Sequence, residues 1–222
     1  MENFKVSNTG TTSLFKNPIL EKLTRTNFFF PVVLFLVVGL SSAAYGFFYN
    51  YSSALVSIVL FVGGIFFFTL IEYVMHRFVF HFNAVTEKEK EIKYKMHGVH
   101  HHYPKDKDRL VMPPVISIGL AVVFFGIFWL VSNKGVYAFW GGFLSGYSLY
   151  LIIHYSVHRF KQPKNFLSIL WKHHSLHHYR SDDSAFGVSN PMWDYIFRTL
   201  PPKRSIKKEE LESLPDLNKN IA

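Results

Sequence analysis

Residues 53–75 read SALVSIVLFVGGIFFFTLIEYVM and run straight into HRFVFH, residues 76–81. Glu72 is the only charge in the first stretch. Its length matches the ~20 apolar residues that cross a hydrocarbon core of ~30 Å, so a membrane-spanning helix ending on histidines is expected. Residues 28–48, 113–132 and 136–155 are runs of the same kind. The expected fold is all-α and integral to the membrane, with four transmembrane helices in one domain over 28–201. A polar arm, 1–27, precedes it and a polar tail, 202–222, follows. A signal-peptide reading of the first run, cleaved at Ser41-Ser42-Ala43, is disfavoured: the polar lead is long for that role, and removal leaves an odd number of spans.

Charge placement orients the bundle. Of the 24 Lys and Arg residues, all but Lys134 lie in the arm, in the loop 77–109 or after Tyr155. By the positive-inside rule both termini and the long loop are cytoplasmic, with 49–52 and 133–135 as short exterior turns. The net charge of +9 borders the spans, without stacking aromatics on a soluble face, so it suits anionic lipid headgroups rather than nucleic acid. Lys203 to Lys208 reads as a solvated, membrane-facing tail. The Glu/Lys run 87–95 reads as an exposed or interfacial helix leading into His97.

All 12 histidines fall into four clusters: His76/His81, His97 with His100 to His102, His154/His158, and His173/His174 with His177/His178. Residues three or four apart share a helical face, about 6 Å between Cβ atoms. His154 therefore pairs with His158, and His97, His100 and His101 can converge, as can His174, His177 and His178. His76 and His81 are the exception, because five residues at roughly 100° each place them about 140° apart on an ideal helix. That pair requires a distorted or ending helix. With no cysteine in the chain, thiolate zinc sites, iron–sulfur clusters and disulfides are excluded. Ten or more imidazoles exceed the needs of one structural zinc, and two ions sharing them is the economical reading. A dimetal centre under the membrane is thus expected at the cytoplasmic end of the spans. Imidazole suits iron, copper and zinc, of which redox-active iron activates dioxygen.

The residues that frame these clusters carry a resemblance. Glu72-Tyr73-Val74-Met75-His76-Arg77-Phe78-Val79-Phe80-His81, His97-Gly98-Val99-His100-His101 and Asp108-Arg109-Leu110-Val111-Met112-Pro113-Pro114 resemble the fatty acid hydroxylase superfamily, closest to its fatty acid 2-hydroxylase branch. The likeness continues through His154-Tyr155-Ser156-Val157-His158, His174-Ser175-Leu176-His177-His178, Phe186-Gly187-Val188 and Trp193-Asp194-Tyr195, covering Glu72 to about Pro201. Sterol oxidases, desaturases and carotenoid hydroxylases share the histidine pattern alone.

The resemblance implies a monooxygenase that inserts one oxygen atom of O2 at the carbon beside a fatty acyl carboxyl or amide, on a free fatty acid or a sphingolipid-type N-acyl chain. It implies two ions, iron in function although zinc can occupy the purified protein. Ten ligands are implied: His76, His81, His97, His100, His101, His154, His158, His174, His177 and His178. His102 and His173 fall outside that pattern, as supporting or surface residues. Glu72, one turn before His76, is a candidate to hold a ligand imidazole. Tyr150, one turn before His154, is a candidate to reach the metals or the substrate headgroup. Asp194 is a candidate acceptor for a ligand histidine, or a local cap.

Two departures bear on substrate and partners. Leu151 stands where familiar eukaryotic 2-hydroxylases carry an aspartate, which loosens the expected headgroup. The arm 1–27 has no histidine to hold haem, so electrons are expected from a separate donor, of cytochrome or ferredoxin type with its reductase. The alternatives are a sterol or carotenoid oxygenase or desaturase on the same core, and a metal transporter. Transport predicts ligands near the bilayer midplane, yet the histidines gather at one end of the spans. A bacterial inner membrane is the favoured location, with the endoplasmic reticulum in a eukaryote.

Overall fold

The computed structural model describes residues 6–49 and 51–201, and all regular structure among them is helical. The tail, with Lys203 to Lys208, lies outside the described residues. After the short α1 (Pro18–Leu23) come α2 (Phe29–Phe48) and α3 (Ala54–Val74), the latter running on as a π-helical turn over Met75–Phe80. In the long loop lie α4 (Glu87–Lys93), a second π-helical turn over Tyr94–Gly98, and α5 (Val99–His102). Two long helices follow, α6 (Pro114–Val131) and α7 (Val136–Arg159), then α8 (Ser168–Tyr179) and α9 (Met192–Ile196). Four segments among the described residues are long and apolar enough to cross a membrane: Phe29–Phe48, Ala54–Phe80, Lys107–Val131 and Val136–Arg159. The chain is an all-α membrane protein with four spanning helices.

The bundle is built around α7, whose inward face carries Trp140, Phe143, Leu144, Ser148 and Leu151, all buried. Lipid tails are as apolar as leucine, so helices associate in a membrane by close packing of small residues. A Cβ on Gly142 would stand 1.8 Å from the carbonyl oxygen of Phe61, and one on Gly64 2.1 Å from that of Phe139. At these two contacts α3 and α7 touch backbone to backbone. On the other side a Cβ on Gly141 would stand 2.5 Å from the carbonyl oxygen of Gly39. By contrast α6 buries only Ser117 along its whole length and sits at the edge of the bundle.

Two helices run further than the apolar runs suggest. The second span continues through the π turn to Phe80, and the fourth to Arg159, so that His154 and His158 both stand on α7. Thr86 and Glu89 form a capping box that starts α4, and its continuation carries His97 inward to a buried position. The arm is no loose lead. Thr26 N–H donates to the carbonyl of Asp108 at 2.8 Å, and Ser7 N–H to that of His102 at 2.8 Å. The Arg109 guanidinium grips Glu21 Oε1 at 2.5 Å, the Thr12 carbonyl at 2.8 Å and Thr24 Oγ1 at 2.9 Å.

Candidate metal centre

Ten histidines gather in two sets of five, each set offering ring nitrogens that lie within 4.8 Å of one another. The first comprises His76, His81, His97, His101 and His177, the second His100, His154, His158, His174 and His178. The sets cut across the sequence clusters. His97 and His101, four apart, share one face and one set, whereas His100 is turned by roughly 60° from the first and roughly 100° from the second and serves the other. His177 is likewise turned by roughly 100° from His178 and roughly 60° from His174. His76 and His81 meet because a π turn repeats at five residues rather than four, with His81 N–H donating to the His76 carbonyl at 3.1 Å. His102 and His173 join neither set: His102 Nδ1 pairs with the Tyr94 hydroxyl at 2.9 Å, and His173 Nε2 donates to Asp194 Oδ2 at 2.9 Å.

Backbone carbonyls fix how several rings face the centre. Nδ1–H of His76 donates to the Phe186 carbonyl at 2.5 Å, that of His154 to Leu110 at 3.0 Å and that of His177 to Ser184 at 2.7 Å. A carbonyl only accepts, so each Nδ1 carries the proton and each Nε2 turns a lone pair inward. The carbonyls themselves are held in place. Asp194, fully buried, accepts from the N–H groups of Phe186 at 2.9 Å and Gly187 at 2.7 Å, from His173, and from Thr199 Oγ1 at 2.7 Å. Burial raises the carboxyl pKa of Asp194, but the hydrogen bonds from His173, Thr199 and the two amides outweigh it and hold the group below its usual range. Glu72 accepts from Val188 N–H at 2.7 Å, from Ser189 N–H at 2.9 Å and from the Ser189 hydroxyl.

Glu72 and Asp194 thus hydrogen-bond to the segment 184–190, whose carbonyls orient His76 and His177, rather than to an imidazole of either set. Side-chain spacing has no means of showing this, because the groups that meet the imidazoles are backbone oxygens. Within this segment Ala185 adopts the left-handed backbone, at φ 59°. The ring of Tyr150 stacks on that of His154, 5.6 Å between centroids and 8° from parallel.

The donor set fits metal ions. A metal–nitrogen bond of ~2.0–2.1 Å at tetrahedral or octahedral angles separates neighbouring ligand nitrogens by about 2.9–3.4 Å. The Nε2 atoms of His76 and His97, and of His97 and His101, are 3.1 Å apart. In the second set His154 lies 3.0 Å from His100 and 3.2 Å from His158, which is 2.8 Å from His174. Both ring nitrogens of His81 and of His178 are buried without a partner, as is Nε2 of His177. Burial first, and the neighbouring imidazoles second, push His81, His97, His100, His174, His177 and His178 far below the ordinary histidine range, and His101 to about 3. Neutral imidazoles at pH 7 are the form that binds a metal.

Beside the histidines a largely apolar cavity of about 360 Å³ runs into the bundle. His76, His97, His100 and His154 wall one end, and Phe124 and Phe143 the other. Leu14 and Phe15 of the arm and Lys95 line it as well, as do Tyr147 and Tyr150. The Tyr147 hydroxyl is buried.

Comparison with known proteins places this architecture. The chain is 37% identical over 150 residues to the dihydroceramide fatty acyl 2-hydroxylase FAH1 of Arabidopsis thaliana, covering 67% of this chain and 63% of that protein. It is 36% identical over 200 residues to the ceramide very long chain fatty acid hydroxylase scs7 of Schizosaccharomyces pombe (87% and 56%) and 41% identical over 160 residues to the fatty acid 2-hydroxylase of Mus musculus (69% and 42%). It thus spans roughly half of the length of such relatives. Its fold matches the solved structure of full-length scs7p, in which only the hydroxylase domain is visible, with a TM-score of 0.79 and 34% identity over 87% of this chain and 74% of that one. Residues 61–199 match the family model for fatty acid hydroxylases, so the chain belongs to the fatty acid hydroxylase family.

Proposed function

We propose that this chain is a dimetal monooxygenase that hydroxylates a fatty acyl chain, at the 2-position of a free fatty acid or of a sphingolipid-type N-acyl chain. One observation carries the reading: two five-histidine sets face the end of a cavity deep and apolar enough for a hydrocarbon tail. The 2-position follows the activities named for the relatives. The ten histidines of the two sets would hold two ions, iron in the working enzyme, which supply the reductive activation of O2. The protein's own part is positioning. The cavity keeps the chain dry and in line with the histidines, Tyr150 offers its hydroxyl to the polar end of the acyl group, and Glu72 and Asp194 hold the segment that orients His76 and His177.

The twelve histidines are committed to the two sets, to Tyr94 and to Asp194. Electrons on this reading enter from a separate donor, of cytochrome or ferredoxin type with its reductase. Residues 28–201 are the working unit, with both termini and the metal centre on the cytoplasmic side, since the basic residues gather there. The host membrane is a bacterial inner membrane or, in a eukaryote, the endoplasmic reticulum.

The test is mass spectrometry of total lipids from cells expressing the wild-type chain or His177→Ala, in a host that supplies electrons and candidate lipids. A hydroxyl beside the carbonyl, present with wild type only, is the expected result, and the parent lipid then names the substrate. Oxygen on a ring or further along the chain would reject the 2-hydroxylase assignment. No difference between the two would reject the oxygenase.

A further inference from the structure

The cavity has a floor, and its composition sets a length. Phe143 of α7 is buried and rings itself with aromatics: Phe124 at 5.3 Å, Phe128 at 5.2 Å, Phe68 at 5.3 Å and Trp140 stacked at 5.6 Å. Phe124 and Phe143 line the cavity, whereas Phe128 and Trp140, the next aromatics towards the far membrane face, do not. The open space therefore stops at an aromatic block in mid-bundle. Along α7 the distance from His154 back to Phe143 is eleven residues, or about 16 Å at a rise of ~1.5 Å per residue. Along α6 the same eleven residues separate Pro113 from Phe124.

We infer that Phe124 and Phe143 are the stop of an acyl-length ruler, which admits chains of about fourteen to sixteen carbons; the inference rests on the acyl reading of this cavity. An extended hydrocarbon with bonds of ~1.5 Å at tetrahedral angles advances about 1.25 Å per carbon, so about 16 Å holds roughly thirteen carbons beyond the one at the histidines. Each methylene that still finds the cavity wall raises affinity about four-fold. A carbon that meets the aromatic block must push packed rings aside, and a packed interior resists overfilling. Ala121 lines the cavity about one turn above Phe124 on α6, so the ruler is adjustable in both directions.

The experiment compares zinc-loaded wild type, Ala121→Phe and Phe124→Ala in detergent, titrated with saturated free fatty acids from about ten to about twenty-two carbons. The readout is the shift in thermal unfolding midpoint at each chain length. Wild type is expected to peak at about fourteen to sixteen carbons, Ala121→Phe about four carbons lower, and Phe124→Ala about four carbons higher, one helical turn being ~5.4 Å. Should Phe124→Ala fail to fold, Phe124→Leu and Ala121→Phe still demand displacements of opposite sign. Profiles that rise steadily with length in every protein, show no dependence on fatty acid, or do not move with the substitutions overturn the ruler. Turnover of the iron-loaded proteins with the same fatty acids, O2 and a reducing system of the cytochrome or ferredoxin type separates the two claims. A shifting profile without hydroxylated product leaves the ruler standing and rejects the hydroxylase, while product with an unmoved profile does the reverse.

Discussion

The N–H of His81 donates to the carbonyl of His76 at 3.1 Å, a five-residue hydrogen bond that closes a π-helical turn at the C-terminal end of α3. On an ideal α-helix these two rings would diverge; here both enter the first set of five. One alanine inserted between Phe78 and Val79 makes the pair six apart and is expected to lower bound metal from about two ions to about one per chain. Deleting Val79 makes them four apart on an ordinary helix, which restores a shared face, so that variant should retain more metal than the insertion. Metal analysis of the two purified variants decides it. Equal loss in both would show that the π turn is not what joins the pair.

Asp194 holds the segment whose carbonyls face His76 and His177. Asp194→Asn keeps the shape but replaces an acceptor of four hydrogen bonds with a group that must donate on one side, at a cost of about 2–4 kcal/mol. A lowered unfolding midpoint and weaker metal retention are expected. Glu72→Gln should be milder, since one carbonyl oxygen can still receive the Val188 and Ser189 amides.

Gly187 has no room for a side chain: a Cβ there would stand 2.2 Å from the Asn190 carbonyl and 2.9 Å from Asp194 Oδ2. Gly187→Ala is expected to push the segment away from the histidines and to destabilise the protein by about 1–3 kcal/mol. Thermal unfolding reads the loss, and an unchanged midpoint would remove the segment from the account of ligand orientation.

Arg109 ties the arm to the metal-bearing loop through Glu21, and its side chain is only 3% exposed. Arg109→Ala takes one partner from Glu21, which keeps Arg25 and the amides of Leu14 and Phe15, and frees the Thr12 carbonyl, at a cost of roughly 1–2 kcal/mol. Limited proteolysis within residues 6–27 should accelerate while metal content holds. Arg109→Lys should recover only part of the protection, because a lysine cannot span the three acceptors that the guanidinium fork reaches.

Acid should release metal and loosen the apoprotein. The folded pKa of His101 lies at about 3, below the ~6.5 of an unfolded histidine. Between those values the unfolded chain binds a proton that the folded chain refuses, so stability rises with pH across that window and falls on acidification. Asp194 acts in the same direction at lower pH: its contribution is present above the unfolded value of 3.8 and is lost as pH falls through its depressed folded value. Titrating from pH 7 towards 4 with metal content and unfolding midpoint as readouts should show both falling together. A flat response across that range would contradict neutral, buried imidazoles.

The sequence by itself determined the four spans, because the length and apolarity of each run answer to the thickness of a membrane and to nothing else in the fold. It also gathered the histidines into four clusters, with spacings of three and four residues reporting a shared helical face in three of them, while the choice of ten among the twelve came from the resemblance of the framing motifs to the family. Only the tertiary structure decided how they divide. His97 and His100 are near neighbours in sequence yet serve different sets, and His177 stands apart from His174 and His178, because rotation about a helix axis has meaning only when another element approaches from each side. The roles of Glu72 and Asp194 were hidden for a related reason: both act on peptide groups more than a hundred or several residues away, and a backbone carbonyl is the same atom in every residue. The cavity floor likewise exists only where α6 and α7 run antiparallel and bring Phe124 against Phe143.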